Sequence, residues 1–343
     1  MVDPATHALG ALGWDETLAG LVEDAGRPAA APGRVARVDM GLVTVLTAGG
    51  TLRATPGDEH VATGDWVLVE NDRVVGVLPR RSVFTRGDPM EGAARGSQVV
   101  AANVDVVLIV HSLTSGPNVR RLERELVLAF ESGATPVVVL NKADLVDAQA
   151  ADAATSTAEG VASGVDVMVV SARRGDGVDR LRALAEGNRT LALIGASGVG
   201  KSTLVNALVG TDLQATGEVR ESDQRGRHTT TARELVLLPA GGVLVDTPGL
   251  RAVSLWDADE GLSRAFADIE DLASRCRFRD CSHTLEPDCA VRAAMVAGDL
   301  DPARFENYQR LDTELDAAER KREARVASKG QRQVDGKIRR KTR

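Results

Sequence analysis

One segment of the chain has the composition and spacing of a phosphate-binding loop. Residues 195–202 read Gly-Ala-Ser-Gly-Val-Gly-Lys-Ser and fit G-x-x-x-x-G-K-[ST], between a predicted strand and a predicted helix. Glycines let backbone N–H groups turn toward phosphate oxygens, and the helix N-terminus adds positive partial charge. Lys201 is expected to bridge the β- and γ-phosphates, and Ser202 to ligate Mg²⁺. The predicted nucleotide-binding residues here are Gly195, Ala196, Ser197, Gly198, Val199, Gly200, Lys201, Ser202 and Thr203.

A second motif bears on which base would be bound. Asn141-Lys142-Ala143-Asp144 fits N-K-x-D and follows a predicted buried strand. The Asp144 carboxylate can accept hydrogen bonds from N1–H and the exocyclic amine of guanine, a donor pair that adenine lacks. Ser171-Ala172 ends the next strand and can offer a backbone N–H to guanine O6. Alone the motif also fits an exposed polar turn, but beside a phosphate loop it favours guanine.

Two further segments match the switch regions of GTPases. Asp246-Thr247-Pro248-Gly249 fits D-x-x-G, so Asp246 is expected to hold Mg²⁺ through water and the Gly249 N–H to contact the γ-phosphate. Thr230, in a run of three threonines, is the candidate to complete the Mg²⁺ shell, although such a run also fits a β-prone loop.

The catalytic water lacks its usual partner. Ras-like enzymes place a glutamine directly after D-x-x-G, and this chain has Leu250 there. We hypothesise that His228 positions the attacking water, with a solvated loop histidine as the equally weighted alternative. The catalytic set is therefore His228, Lys201 and Gly249.

All three cysteines of the chain lie within fourteen residues. Cys276-x₄-Cys281-x-His283-x₅-Cys289 supplies a complete tetrahedral Cys₃His ligand set, which indicates one structural Zn²⁺. The alternative is a group of buried free thiols beside a surface histidine.

The surrounding pattern predicts the elements that position these residues. Five short β-like runs separated by turn signals favour a small closed barrel of the OB type. Apolar strands then alternate with helices, which favours a parallel sheet covered on both faces. The first group comprises 34–38, 42–47, 51–54, 66–69 and 74–78; the second comprises strands 104–111, 136–140, 165–170, 191–194, 235–238 and 243–245 and helices 119–131, 178–186 and 200–209.

The order of the motifs predicts a rearranged fold. N-K-x-D and Ser-Ala precede the phosphate loop and D-x-x-G, which is a circular permutation of the Ras-like order. We predict an α/β, circularly permuted Ras-like P-loop GTPase domain, with an N-terminal OB-type β-barrel and a mostly helical C-terminal zinc-binding domain. The predicted limits are 1–32 for an N-terminal extension, 33–88 for the barrel, 97–254 for the GTPase domain, 255–319 for the zinc-binding domain and 320–343 for a basic tail.

Charge is unevenly distributed along the 343 residues. The formal net charge is −7, with +9 in residues 320–343 and −16 in the remainder. A basic tail on an acidic body favours a nucleic-acid partner over a merely solubilising end. No apolar run of about 18 residues and no signal-like N-terminus appear, so a cytoplasmic protein without a membrane span is expected.

Taken together, these residues resemble the RsgA (YjeQ/YloQ) family of circularly permuted bacterial GTPases. The resemblance rests on residues 141–144, 195–202, 226–231 and 246–249 and on the Cys₃His set, with the segment 276–283 and Glu286-Pro287 also typical. It implies a monomer that binds the small (30S) ribosomal subunit late in its assembly, with GTP hydrolysis stimulated by the particle and tied to release. It also implies that the barrel and zinc domain contact 16S rRNA, and that a hydrophobic residue such as Leu250 is usual after D-x-x-G.

The source of RNA affinity is left open between two parts of the chain. Residues 33–86 contain 7 basic and 6 acidic residues, so the barrel is nearly neutral. It would read RNA through shape and a few arginines, with Arg34, Arg37, Arg53 and Arg73 as candidates, or the tail would supply most of the attraction.

Three other functions fit parts of the sequence. One is a GTPase with a non-ribosomal partner, and another is an RNA-binding module whose nucleotide site only maintains structure. A P-loop ATPase is the least consistent, because Asn141 and Asp144 would then have no role.

Overall fold

The computed structural model of the chain describes residues 9–86, 98–210, 234–239, 241–246 and 258–320. Within these ranges, none of the helices combines the length and the apolar character that crossing a bilayer requires. The strands are β1 (Ala31–Asp39), β2 (Leu42–Thr47), β3 (Gly50–Ala54), β4 (Trp66–Glu70), β5 (Arg73–Val77), β6 (Val83–Arg86), β7 (Gln98–Ala102), β8 (Val106–Ser112), β9 (Thr135–Asn141), β10 (Asp166–Val169), β11 (Thr190–Ile194), β12 (Glu234–Leu237) and β13 (Val243–Asp246). The helices are α1 (Glu16–Asp24), α2 (Val119–Glu131), α3 (Ala148–Val161), α4 (Val178–Ala183), α5 (Lys201–Val209), α6 (Asp259–Ala265), α7 (Ala267–Ala273), α8 (Ala290–Ala297) and α9 (302–320).

The first five strands form an antiparallel sheet in the order β3-β2-β1-β4-β5. Their inward valines, among them Val35, Val43 and Val67, are fully buried and form a core of their own. The two outer strands are brought together where Thr55, after β3, bridges to Arg73 in β5. Joining the edges closes the sheet and removes the unpaired backbone groups that an open edge would expose. The predicted OB-type barrel is therefore confirmed.

A short two-stranded sheet connects the barrel to the rest of the chain. β6 and β7 pair antiparallel, and a bridge from Thr63 to Ala101 ties β7 to the barrel. This pair is not predicted from the sequence, because the two strands are separated by residues 87–97. The two strands are not joined by a tight turn, so no local turn sequence indicates that they pair.

The six-stranded sheet has the order β10-β9-β8-β11-β13-β12. All neighbours are parallel except β12, which pairs antiparallel with β13 at one edge. Every residue of β8 is buried, as expected for a parallel strand covered on both faces. β11 lies between β8 and β13, so the strand leading to the phosphate loop is central although it comes late in the chain. This arrangement confirms the predicted permutation.

Alternate residues of β8 face two separate helix layers. Val107 and Ile109 belong to the core that also buries Leu122 and Leu126 of α2. The intervening β8 residues belong to the core of α4 and α5, where Leu181 and the leucines of α5 are buried. The period-two alternation of the strand thus supplies both faces of the sheet.

Most predicted elements are present, with small shifts at their ends. The helix predicted over 178–186 ends at Ala183, and the helix predicted from Gly200 begins at Lys201. Helix α3 is not predicted from the sequence. It is rich in alanine and buries only Ala154, Ala158 and Val161. A helix with so few large apolar residues gives a weak periodic signal.

The C-terminal helices pack against α2 of the sheet domain. A Cβ on Gly261 would lie 2.4 Å from the Val127 carbonyl oxygen, so α6 and α2 approach as closely as glycine permits. In α9, Leu311 and Leu315 are buried and Tyr308 packs edge-on against Phe266. These residues of α9 form an apolar stripe that faces the core.

A buried charged cluster fixes this packing. Glu123 of α2 is fully buried and pairs with Arg304 of α9 at 2.9 Å, and the Asn307 amide also donates to it. Arg304 binds Asp268 at 2.7 Å and lies over the Phe266 ring. Burial raises the pKa of Glu123 although Arg304 and Asn307 act in the opposite direction. Removing Arg304 would leave the buried Glu123 carboxylate without a cationic partner.

A buried arginine joins the barrel to the sheet domain. Arg34 is 1% exposed, and its guanidinium donates to the carbonyl oxygens of Gly64 at 3.3 Å and Asn103 at 3.0 Å. It also donates to the Leu12 carbonyl and, at 2.8 Å, to the Thr190 hydroxyl on β11. Burial lowers the pKa of Arg34 to about 10, so it remains charged at neutral pH.

The position of Arg34 corrects one expectation from the sequence. Arg34 was a candidate for reading RNA, but a guanidinium that is buried and bonded to four groups cannot reach a partner. The other three candidates are paired with carboxylates on the barrel itself. Arg37 and Arg53 share Asp39, and Arg73 pairs with Asp58.

Replacing Arg34 with methionine should destabilise the barrel junction by about 3 kcal/mol, because several buried carbonyl groups lose their donor. The measurement is the urea unfolding midpoint followed by tryptophan fluorescence, since Trp66 lies 5.2 Å from the guanidinium. Arg37→Met is the matched control on the same strand. Its half-exposed ion pair should contribute less than about 1 kcal/mol. Equal losses in the two variants would contradict the assigned role.

Candidate functional site

The phosphate-loop sequence forms the connection between β11 and α5. β11 is buried throughout and ends at Ile194, and α5 begins at Lys201. Gly195 has φ +138°, and a Cβ there would lie 2.3 Å from the Val110 carbonyl oxygen of β8. The strand–loop–helix context expected of the motif is present, and its first glycine is required by the close approach of the neighbouring strand.

The loop is folded around its own lysine. The Lys201 ammonium donates to the Gly195 carbonyl at 2.8 Å and to the Ala196 carbonyl. Gly200 has φ +96° and precedes α5, whose first turn contains Lys201, Ser202 and Thr203. The loop, the helix N-terminus and the ammonium therefore combine positive charge and backbone donors at one edge of the sheet, a chemistry suited to phosphate groups.

Asn141 connects three separate loops. Its side chain is almost fully buried, and its amide donates to the Val199 carbonyl of the phosphate loop at 3.0 Å. Its carbonyl oxygen accepts from the Ala172 N–H at 3.0 Å. A Cβ on Gly200 would lie 2.4 Å from the Asn141 amide nitrogen, so that glycine is needed for the contact. The alternative of an exposed polar turn is excluded for this residue.

The rest of the N-K-x-D motif is also held by contacts. Lys142 has φ +70°, and its ammonium donates to the Gly198 carbonyl at 2.6 Å. The Ser171 hydroxyl donates to the Asp144 carboxylate at 2.7 Å. That hydrogen bond lowers the pKa of Asp144, so the group is a carboxylate and a pure acceptor at neutral pH. The four residues and the Ser-Ala turn form one connected group beside the phosphate loop.

The switch residues fall at the limit of what the structure describes. Asp246 ends β13, which is parallel to β11, so its backbone lies at the edge of the sheet from which the phosphate loop emerges. Gly249, Leu250, His228 and Thr230 lie outside the described residues.

The C-terminal cysteines and histidine converge on one point. The ligand atoms of Cys276, Cys281, His283 and Cys289 all lie within 4.8 Å of one another. Cys276 Sγ is 3.8 Å from Cys289 Sγ, and His283 Nδ1 is 3.5 Å and 3.4 Å from these two sulfurs. A tetrahedron with zinc bond lengths has S···S edges of about 3.8 Å and S···N edges of about 3.5 Å. The group could therefore hold a tetrahedral metal ion.

The electrostatics of the thiols agree with a cation. Burial and the neighbouring thiols Cys289 and Cys276 raise the pKa of Cys281 to about 11, although the His283 N–H acts in the opposite direction. Three adjacent thiolates repel one another, so a bound cation is needed for all of them to ionise together.

Glu286 stabilises the loop that carries the Cys₃His group. Its position in the sequence does not by itself indicate this role. Its carboxylate accepts from the N–H groups of Ser282 and Thr284 at 3.0 Å and of Leu285 at 3.1 Å. The Ser282 hydroxyl, which also donates to the carboxylate, and the Ser282 and Thr284 N–H groups lower its pKa to about 2. The carboxylate thereby fixes the backbone around His283, which has φ +58°. The only sequence signal was the Glu286-Pro287 pair before the last cysteine.

Arg182 is a second residue that the sequence analysis does not identify. From α4 its guanidinium donates to the Leu208 carbonyl at 3.2 Å and to the Ala207 carbonyl, at the C-terminal end of α5. A cation there complements the negative end of the helix dipole and stabilises α5 at the end opposite the phosphate loop. No local pattern predicts a contact between two helices separated by a strand.

Comparison with known proteins gives a consistent assignment. The family model described as RsgA GTPase matches residues 77–256. A model for ABC transporters matches residues 179–334, a range that includes the phosphate loop. Proteins named "Small ribosomal subunit biogenesis GTPase RsgA" are similar along most of the chain. The one from Streptomyces avermitilis is 46% identical, covering 94% of this chain and 90% of its own length, and one from Xanthomonas campestris is 42% identical, covering 97% and 96%.

Two solved structures share the fold. The crystal structure of YjeQ from Thermotoga maritima superposes with a TM-score of 0.62 at 28% identity, covering 83% of this chain and 98% of that one. The crystal structure of YloQ, a circularly permuted GTPase, gives a TM-score of 0.60 at 24% identity, covering 85% and 96%.

A metal ion held by the Cys₃His group should order only the loop from Cys276 to Cys289, so that its removal opens this loop alone. The helices packed on α2 keep Phe266 and Leu311 in the main core, so their order does not depend on the ion. The measurement is amide hydrogen exchange before and after treatment with a transition-metal chelator in excess Mg²⁺. Cys281→Ser should reproduce the effect of the chelator, and Ser274→Ala should not. Loss of protection throughout α6, α7 and α9, or no change in the loop, would refute the assignment.

Proposed function

The chain belongs to the RsgA GTPase family and is a hydrolase acting on GTP, and from this premise we propose that it acts in biogenesis of the small ribosomal subunit. The relatives that match most of its length carry that activity in their names. The observation in this chain that best supports a guanine-nucleotide enzyme is the Asn141 side chain, which ties the phosphate loop to the Ser-Ala turn.

We propose that the base-binding group consists of Asn141, Lys142, Asp144, Ser171 and Ala172. The ionised Asp144 accepts from N1–H and the amine of guanine, and Ser171 orients that carboxylate. The backbone N–H groups of Ser171 and Ala172, one of which was expected to donate to guanine O6, are bonded to Asp176 and Asn141 in this structure. These bonds fix the turn in place before a nucleotide arrives. Preorganised groups of this kind discriminate against a base that would leave them unpaired.

We propose that residues 195–203 bind the phosphates and that Ser202 ligates the Mg²⁺ on which a GTPase depends. The Lys201 ammonium now bonds to two loop carbonyls, and phosphate oxygens would replace these acceptors. Asp246 and Thr230 would complete the Mg²⁺ shell. Gly249 would contact the γ-phosphate, and His228 would position the attacking water.

We propose that the metal ion of the Cys₃His group is a single structural Zn²⁺. The donor set has three sulfurs and one nitrogen and fills a tetrahedron, which leaves no open position for a substrate. The domain limits proposed above follow the same division: extension, barrel, GTPase domain, zinc domain and tail.

We propose that a cytoplasmic, monomeric protein contacts 16S rRNA, and that GTP hydrolysis is coupled to its release from the 30S subunit. The barrel arginines Arg37, Arg53 and Arg73 are paired with carboxylates of the barrel, which supports a larger role for the basic tail. Release is supported by chain order, because β13 leads from the nucleotide site into the C-terminal helices.

The first test is GTP turnover by the purified protein, alone and with purified small subunits, with ATP as the control nucleotide. A low basal rate that rises at least tenfold only with subunits and only for GTP is expected. Rates that do not respond to subunits would refute the ribosomal partner and favour another RNA or protein ligand. No GTP-specific turnover under any condition would favour an RNA-binding module.

The same assay tests His228. His228→Ala should lose most of the subunit-stimulated rate, about 10²-fold or more for a residue that positions the water, and should retain GTP binding. His60→Ala, an exposed histidine of the barrel, is the matched control. Full stimulated turnover by the His228 variant would exclude the assignment.

Replacing Asp144 with asparagine should exchange the base preference. The amide offers a donor where guanine needs a second acceptor, so GTP affinity should fall by about tenfold or more, and xanthosine triphosphate, whose C2 carbonyl accepts, should bind better. Asp152→Asn, on the exposed side of α3, should change neither affinity. The measurement is titration calorimetry with both nucleotides. Unchanged GTP affinity in the Asp144 variant would remove this residue from the base site.

A further inference from the structure

A cavity of about 580 Å³ lies between the sheet domain and the C-terminal helices. One side is formed by α2 with Arg120, Arg121 and Arg124, and the other by α9 with Arg310. Its volume falls within the range of small-molecule sites, which runs from about 300 to 1,000 Å³. We propose that this cavity is a second binding site, for a phosphorylated small molecule of nucleotide size.

The carboxylates of the cavity are already engaged. Glu314 of α9 is held by Arg124 through two hydrogen bonds of 2.7 and 2.8 Å. Glu125 of α2 bonds to the buried His111 at 2.8 Å. Each acidic group in the wall therefore has a hydrogen-bonded partner of its own, although the Glu314 carboxylate also feels the charge of Arg310.

Two guanidinium groups remain to bind an anion. Arg120 pairs with Glu306 at 3.0 Å, whereas Arg121 and Arg310 have no carboxylate within ion-pair distance in the part of the chain that the structure describes. Arg310 donates to the Asn307 side-chain oxygen at 2.6 Å. The planar guanidinium groups of Arg121 and Arg310, one from each domain, can each bind a phosphate group through paired hydrogen bonds.

Among the described residues, the charges left without a carboxylate in the cavity wall are both positive. Arg121 stands in the first turn of α2, which contains no acidic residue, so its charge lies at the positive end of a helix. Arg120 and Arg124 of the same helix are paired with Glu306 and Glu314. An anion between α2 and α9 would offset the charges of Arg121 and Arg310. The charge arrangement therefore points to a negatively charged occupant independently of the volume.

The remaining wall suits the uncharged part of such a molecule. Leu128 and Ile194 supply apolar surface, and Gly195 places the start of the phosphate loop at the edge of the cavity. As far as the described residues define it, the lining includes none of Asn141, Asp144 or Lys201. The cavity therefore adjoins the proposed GTP site at Gly195 without including the residues proposed to recognise the base, and its occupant would touch both domains.

The test uses the full-length protein with its nucleotide site saturated by GDP and Mg²⁺, and tripolyphosphate as the probe in titration calorimetry. One equivalent should bind saturably. Arg121→Gln and Arg310→Gln should each weaken binding roughly tenfold, as expected for loss of a charged hydrogen bond. Arg180→Gln, an exposed arginine of α4, is the matched control and should bind as the parent protein does. Unaltered GDP affinity in all variants shows that the fold is intact.

A second arm separates a free phosphorylated molecule from an RNA backbone. If tripolyphosphate fails to bind, or binds equally to all variants, the proposed site is refuted. The other outcome is that only single-stranded RNA binds, that both variants lower its affinity, and that this affinity depends less on salt concentration in the variants. In that case the cavity is part of an RNA-binding surface and the small-molecule proposal is also refuted. Neither outcome involves ribosomal subunits or hydrolysis, so failure here leaves the proposed GTPase function untouched.

Discussion

A charged group cannot remain unpaired inside a protein, and both junctions between the parts of this chain depend on that constraint. At the first, the guanidinium of Arg34 binds carbonyl groups of the N-terminal segment, the barrel and the loop between β7 and β8. At the second, Glu123 draws Arg304 and Asn307 of the last helix onto α2. Polar groups in such positions add little net stability over apolar packing, but any other docking of the domains would leave them unsatisfied. They specify how the parts fit together.

Helix α2 has a central place in this arrangement. One face packs on the sheet through Leu122 and Leu126, and another carries Glu123 toward the C-terminal helices. Glu125 reaches His111 at the end of β8, the strand whose Val110 carbonyl lies against Gly195. Helix α2 therefore connects the strand beside the phosphate loop with α9. The same helix forms one wall of the arginine-lined cavity.

The parts of the site that follow from local spacing could be predicted from the sequence. Gly195–Ser202 and Asn141–Asp144 need only a strand before them and the right residue order, and the Cys₃His spacing identifies its own ligands. What could not be predicted depends on contacts between distant residues. Arg34 looks like any surface arginine in sequence, and only the carbonyls around it reveal that it is buried. The contacts of Arg182 with the end of α5 and of Glu286 with its loop have the same origin.

The position of β11 in the sheet also has a consequence for synthesis of the protein. Translation produces β8, β9 and β10 before β11 and β13, yet β11 pairs with β8 on one side and β13 on the other. The half of the sheet that carries Asn141 therefore emerges with β8 as an unpaired edge, and it keeps that edge until the second half leaves the exit tunnel. A nascent chain would acquire the residues proposed to recognise the base first and the phosphate loop last. Nucleotide can bind tightly only to a nearly complete domain, so it would act as a late check on folding.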